Sequence, residues 1–500
     1  MNLARYSFIL LALSLASAAH VSTAQIPTPA PQRGQLVENP PTQLGVYSVS
    51  DLISKITDGE ISQWVLRRTF TPKCSVAVYQ LRYGTVGVQG EPTIATAALM
   101  IPSGSDGACQ SPRPMVMYAH GKRNLTSFNI ADLSGQTNYE GLLLALGLAG
   151  DGYIVVAPNY AGYDSSTLGY GAFLHADQQA ADMMDALTAA RAALPGTGML
   201  DNQRLFLTGY SQGGYVAMAA HRAFQAAGIP VTAAAPMSGP YALSAFGDAV
   251  FMGQVGLGAV EEFIMLASTY QRAYGYLYTT PTELFEEKYA AVESLLPGTT
   301  ATDTLIAEGK IPAGAIFSDA PPAPEFAAMT PAVTDDRYSW AFPLGFGTDH
   351  LITNSYRLGY LQDALAQPDG AWPNTTTSLP PANPAHPLRL ALKANDLRNW
   401  APTAPVLLCG GDEDPVVYFF NTLLMQGYWA VNAPNSVVTV LDVDAPPSQR
   451  GPYRHLKKKF AETKRLFELI QGTAALRRNY HDVLVPAFCM QGARSFFEQF

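Results

Sequence analysis

Five residues near the middle of the chain carry the strongest chemical signal: Gly209-Tyr210-Ser211-Gln212-Gly213. As a bare pentapeptide, G-x-S-x-G is weak, because serine and glycine are both common; its weight comes from where it lies. An apolar run, Arg204–Gly209, precedes it, and an Ala-rich helical stretch, Gln212–Ala227, begins directly after Ser211. A serine at such a strand-to-helix turn sits in a sharp, strained elbow, with glycines where a β-carbon would meet neighbouring backbone. The helix behind it aims its positive N-terminal end at developing negative charge. The competing reading is a Gly-rich turn bearing a solvated serine.

A serine hydroxyl needs a histidine to take its proton, and that histidine needs a carboxylate to orient it. After an elbow of this kind the acid comes next along the chain and the base last. The run Pro405–Cys409 leads into Gly410-Gly411-Asp412-Glu413-Asp414-Pro415, where Asp414 is the expected acid and Asp412 the alternative. Capping a helix that starts near Val416 is the other role open to these carboxylates. Two histidines follow. His455 lies in a charged helical pattern and reads as a surface residue. His481, in Asn479-Tyr480-His481-Asp482, reads as a loop residue ahead of the final amphipathic helix and is the expected base. A further histidine closes an earlier apolar run, at Tyr118-Ala119-His120-Gly121-Lys122. There Gly121 is expected to let the backbone turn, so that the N–H groups of Lys122 and Gln212 form an oxyanion hole. A turn holding a buried histidine is the alternative at that point.

These side chains need a frame. Cys74–Tyr83 and Thr93–Ile101 alternate in part and predict an antiparallel hairpin at a half-covered sheet edge. Continuous apolar runs then recur at Pro114–Ala119, Tyr153–Pro158, Arg204–Gly209, Val231–Pro236, Pro405–Cys409 and Val437–Leu441. Helical stretches separate them at Glu140–Gly150, Ala176–Leu194 and Gln212–Ala227. Buried strands alternating with helices predict an α/β fold: a mostly parallel sheet covered on both faces. The alternation stops near Ser238 and resumes near Ala401, too long a gap for a loop. Its helical segments (Val255–Arg272, Thr282–Leu296, Asn354–Gln367) predict a large, mostly helical inserted cap. The expected organisation is a signal peptide over 1–24, an N-terminal arm and lead-in over 25–70, core over 71–240, cap over 241–400 and core again over 401–500.

Taken together, these segments resemble the α/β-hydrolase superfamily, and within it the exported bacterial lipase/esterase branch of secretory lipases and cell-wall-degrading esterases. The resemblance rests on Tyr118-Ala119-His120-Gly121, Val155–Gly162, Gly209–Gly214, Gly411–Pro415, and Tyr480-His481 with Pro486-Ala487-Phe488-Cys489. It spans roughly 74–240 and 401–500 and does not reach the cap. It implies a serine carboxylic-ester hydrolase acting on an ester substrate, polymeric and cell-wall esters included. The family often has glycine after the base; Asp482 stands there instead, adding a carboxylate that would raise the pKa of His481. Lys122 likewise puts a charge where small residues are common.

Composition narrows the alternatives. The 500-residue chain has 31 basic and 40 acidic residues, a net charge of −9. That argues against nucleic acid as a partner, which needs clustered Lys and Arg. Charged residues are 14% and apolar ones 48%, against disorder. Arg5 and the apolar stretch Phe8–Ala19 predict a signal peptide cleaved after Ala24, hence a secreted or periplasmic location, and no later run is long enough to span a membrane. Export makes disulfides the expected state of Cys74, Cys109, Cys409 and Cys489. A hairpin brings Cys74 to Cys109. Contact between Asp414 and His481 brings Cys409 to Cys489. No CxxC pair suggests zinc, and the chemistry calls for no metal or cofactor. Oligomeric state is left open. Two other functions share the frame: a prolyl-type serine peptidase, for which no carboxylate pair to hold a substrate N-terminus stands out, and a non-catalytic binding module, which would not need the triad.

Overall fold

The computed structural model describes residues 31–56, 61–134, 138–334, 337–373, 377–448 and 450–500. The expected signal peptide lies outside them. Nine strands form one sheet in the order β1-β2-β3-β5-β4-β6-β7-β8-β9. They are β1 Thr42–Tyr47, β2 Ser75–Val86, β3 Pro92–Ser103, β4 Arg113–Ala119, β5 Ile154–Pro158, β6 Asp201–Tyr210, β7 Ala233–Met237, β8 Val406–Gly410 and β9 Val438–Asp442. β1, β2 and β3 pair antiparallel, as does β3 with β5; every pairing from β5 through β4 to β9 is parallel.

The parallel strands read as unbroken apolar runs because both their faces are covered. In β4, Met115, Met117 and Ala119 enter one core, and Val116 and Tyr118 the other. β6 divides the same way, Leu205 and Leu207 against Phe206 and Tyr210. The helices Ala176–Ala193 and Gln212–Ala226 supply Met183, Ala186 and Val216 to the first core. The helices Tyr139–Gly147 and Val485–Phe497 supply Leu142, Leu144, Val485 and Phe488 to the second.

Three expectations change. The sheet edge is β1, within residues expected to form an arm and lead-in, so the β2–β3 hairpin lies inside the sheet and β3 is buried on both faces. Residues 282–296 are not one helix: after the short turn Pro281–Leu284, Phe285 bridges Ile352 and Glu286 N–H donates to the Leu351 carbonyl at 2.9 Å. Extended pairing there outcompetes helical propensity. The helix after the acid loop starts at Phe420, four residues later than Val416.

Between β7 and β8 lies a segment whose main helices are Leu243–Phe251, Ala259–Tyr274, Asn354–Ala366 and Pro387–Ala394. Buried arginines tie it together. Arg389 bonds to Asp248 and Asp363, each at 2.8 Å, and Arg398 to Asp369 at 2.7 Å and Asp396 at 2.8 Å.

Candidate active site

Ser211 sits between β6 and the helix Gln212–Ala226 with φ 59° and ψ −124°, a strained conformation for a residue with a side chain. The turn is held by Ser211 N–H donating to the Met237 carbonyl at 3.0 Å. A β-carbon on Gly209 would overlap the Gly213 carbonyl oxygen, one on Gly213 the Ala119 oxygen, and one on Gly214 the Met237 oxygen. The glycines therefore let this helix press against the ends of β4 and β7.

Asp414 lies in the turn after β8. Its Oδ1 accepts from Val416 N–H at 3.0 Å and Val417 N–H at 3.1 Å, which leaves Oδ2 for His481 Nδ1 at 2.7 Å. Asp412 is turned outward and ion-paired with Arg337, so it is not the histidine's partner. His481 does not sit in a loop: it occupies a π-helical turn, Tyr480–Leu484, continuous with the helices on either side. Such turns widen the helix by one residue and frequently mark functional sites. Its Nε2 stands 2.8 Å from Ser211 Oγ. Because the Asp414 carboxylate accepts at Nδ1, neutral His481 carries its proton there and presents a bare Nε2 to the hydroxyl. Burial lowers the pKa of His481, but the charge and hydrogen bond of Asp414, with Asp482 and Glu262 behind them, outweigh it and raise the value to about 8. Asp482 acts in the direction its position suggests. His455 is exposed in the helix Arg454–Gln471, away from this cluster.

The strand-end turn after β4 comes up beside Ser211. Neither Lys122 N–H nor Gln212 N–H donates a hydrogen bond among the described residues. His120 is buried, its ring nitrogens 2.6 Å from the Gly121 carbonyl and 3.0 Å from that of Asn159, and it stacks on Tyr160. It is scaffold. Gly121 is not a left-handed position, and a β-carbon there would find ordinary contacts, 3.7 Å from Ser211 Cβ among them. Glycine is therefore not required for the turn, contrary to the expectation from the sequence. What orders the turn is Glu140, whose Oε1 accepts from Tyr118 OH at 2.7 Å and Gly121 N–H at 3.1 Å, while Arg123 pairs with it from outside.

Several residues that shape the site carry no local signal. Tyr210 OH donates to the His481 carbonyl at 2.6 Å. Tyr480 OH donates to Asp444 at 2.7 Å and accepts from Glu413 N–H at 3.3 Å, joining base turn to acid loop. Lys464 bridges Glu413 and Asp444 at 2.7 and 2.6 Å. A carboxylate pair, Glu261-Glu262, opens the helix Ala259–Tyr274, and Glu262 lines the cavity over Ser211. Its charge is already answered by Lys122 Nζ at 3.3 Å. Burial disfavours the Lys122 charge, yet Glu262, Glu261 and Asp482 hold its pKa above the usual lysine value. The cavity over Ser211 is about 820 Å³. The cysteines pair as Cys74–Cys109 and Cys409–Cys489, with Cα–Cα separations of 5.5 and 5.6 Å.

Residues 129–230, a stretch that includes Ser211, match the model of the secretory lipase family. The structure resembles the rice cell wall degrading esterase LipA from Xanthomonas oryzae, at 25% identity over 90% of this chain and 98% of that one, with a TM-score of 0.62. It also resembles a putative hydrolase from Legionella pneumophila, at 19% identity over 88% of this chain and 98% of that one, with a TM-score of 0.60. Curated protein sequences give no match. Sheet, elbow and family match together define a secretory lipase-like protein of the α/β-hydrolase fold. The activity of that class is carboxylic-ester hydrolysis. The disulfides and the family match point to export, and no helix among the described residues is long and apolar enough to cross a membrane.

Proposed function

We propose that the chain is an exported serine esterase in which Ser211 is the nucleophile, His481 the base and Asp414 the residue that orients it. The observation that carries this is the unbroken relay from Asp414 Oδ2 to His481 Nδ1 at 2.7 Å and from His481 Nε2 to Ser211 Oγ at 2.8 Å, opening into a cavity. Ser211 Oγ adds to the ester carbonyl as His481 Nε2 takes its proton. The N–H groups of Lys122 and Gln212 receive the oxyanion. His481 then passes the proton to the departing alkoxide, leaving an acyl-serine. Water, deprotonated by His481, releases the acid and restores the hydroxyl. In this reading residues 1–24 are the signal peptide, and 241–400 form a cap over the cleft. The roomy cleft and the likeness to a cell wall degrading esterase support a large, polymeric or cell-wall ester. The ion pair that occupies Glu262 weighs against a peptidase, which would need that carboxylate for a substrate N-terminus.

The test is a fluorophosphonate label, with ester and amide substrates assayed in parallel. Labelling and ester turnover, both lost in Ser211→Ala, are expected. An unlabelled native protein would refute the triad, and faster amide than ester cleavage would favour a peptidase.

A further inference from the structure

The turn that follows β4 is pinned group by group. The His120 carbonyl accepts from Tyr160 OH at 3.0 Å, and the Gly121 N–H of the same peptide unit donates to Glu140 Oε1 at 3.1 Å. The next peptide unit is held by its carbonyl alone: the Gly121 oxygen lies 2.6 Å from His120 Nδ1, the shorter of that ring's two carbonyl contacts. A trans peptide directs its N–H opposite to its C=O. Fixing the Gly121 carbonyl therefore fixes where the Lys122 N–H points, and that N–H donates to nothing among the described residues. A β-carbon on Gly121 would lie 3.7 Å from both Glu140 Oε1 and Ser211 Cβ, so carboxylate, turn and nucleophile stand within one side chain of each other.

Glu140 opens the helix Tyr139–Gly147 and is only 6% exposed. Its acceptor capacity is already taken: Oε1 also accepts from the buried Tyr118 OH at 2.7 Å, and Oε2 is ion-paired with Arg123. That leaves little of it for a substrate, and Arg123 offsets the negative charge that would otherwise face a developing oxyanion. Resting on the esterase reading, we infer that Glu140 is a positioning residue of the oxyanion hole: by holding the Gly121 N–H it keeps the following N–H, of Lys122, aimed at the oxyanion before substrate arrives. Donors set in advance need no reorganisation at the moment of reaction. The ground-state ester gains little from such a donor, so the effect of Glu140 falls on kcat rather than on KM.

The test compares the native protein with Glu140→Ala and Glu140→Gln on p-nitrophenyl butyrate, with active sites counted by fluorophosphonate titration. Glu140→Ala should lose about 100-fold in kcat per titrated site, the scale of one oxyanion donor. KM should stay within about twofold. Glu140→Gln keeps an acceptor oxygen for Tyr118 and Gly121 and should recover about tenfold of the loss. Propyl trifluoromethyl ketone gives the second arm. Ser211 Oγ adds to its carbonyl carbon, the carbonyl π pair becomes an oxyanion, and the serine proton passes to His481. Its inhibition constant should rise across the variants in proportion to the fall in kcat/KM, because that oxyanion meets the same donor. A purely structural Glu140 would lower the melting temperature or the number of titrated sites while kcat per site and ketone affinity stayed native; that result would overturn the inference and leave the esterase reading standing. If Glu140→Ala does not fold, the same comparison on Glu140→Gln decides. A native protein that neither labels nor turns over the ester would overturn the esterase reading, and this inference with it.

Discussion

At the residue scale, His481 is where the charges of the site converge. Asp414 bonds its inner nitrogen, and the charges of Asp482 and Glu262 lie within reach; together they raise its pKa to about 8. A histidine base works only when neutral. Below that value most of it is protonated, so kcat/KM should climb about tenfold per pH unit up to near 8 and then level. The charge of Asp482 favours the protonated form, so Asp482→Asn should move this limb to lower pH. A pH–rate profile that stays put or moves upward would contradict the assigned role of Asp482. In the same assay His481→Ala should lose about four orders of magnitude or more, because triad members act as a unit, whereas His455→Ala should stay near the native rate. The three residues of the proposed triad could be singled out in the sequence because such chemistry constrains residue type and chain order, and the structure places them within hydrogen-bond distance of one another. Tyr210, Glu140, Tyr480, Asp444 and Lys464 could not be singled out. Each is an ordinary residue whose role comes from contacts between distant segments, such as the 2.6 Å bond from Tyr210 OH to the His481 carbonyl.

At the scale of elements, the elbow works because three chain segments nearly touch. The helix Gln212–Ala226 begins so close to β4 and β7 that Gly213 and Gly214 have no room for side chains. The same crowding accounts for β7, whose Ala233, Ala234 and Ala235 have low strand preference but bring neighbouring elements close. Gly213→Ala should therefore cost more than about 3 kcal/mol, since its β-carbon meets a backbone carbonyl that cannot swing aside. Urea unfolding measures it, and a midpoint within error of the native protein would show that the elbow can relax. Apolar runs and their spacing made the six parallel strands readable in advance. β1 escaped because its side chains are mostly exposed, so no apolar pattern marks it. The helix expected at 282–296 failed for the opposite reason: its apolar spacing suits a helix, but Leu284, Phe285, Tyr289 and Val292 are each buried from short turns.

At the scale of the whole molecule, the proposed acid and base reach Ser211 from opposite ends of the last hundred residues. Asp414 follows β8, whereas His481 precedes the helix Val485–Phe497 on the second face of the sheet. The Tyr480 and Lys464 contacts bridge them, with Tyr480 itself buried. Beneath lies Cys409–Cys489, one cysteine in β8 and the other in that last helix, 80 residues apart. Closing this loop stabilises the fold by about 4.5 kcal/mol in the chain-entropy view, acting on the unfolded chain. It also links β8, which leads to Asp414, to the helix that follows His481. Replacing Cys409 and Cys489 by Ala together should lower the unfolding free energy by about 2–5 kcal/mol. Cys74–Cys109 closes a shorter loop, with a separation of 35 residues, around the already paired β2 and β3, from the residue before β2 to a turn after β3, so it makes a useful control. Its double replacement should cost stability without touching chemistry. If register is what Cys409–Cys489 supplies, its loss should depress kcat at temperatures where the protein is still fully folded, while loss of Cys74–Cys109 should not. Equal kcat in the two double variants, measured well below both melting transitions, would show that the second disulfide contributes stability alone.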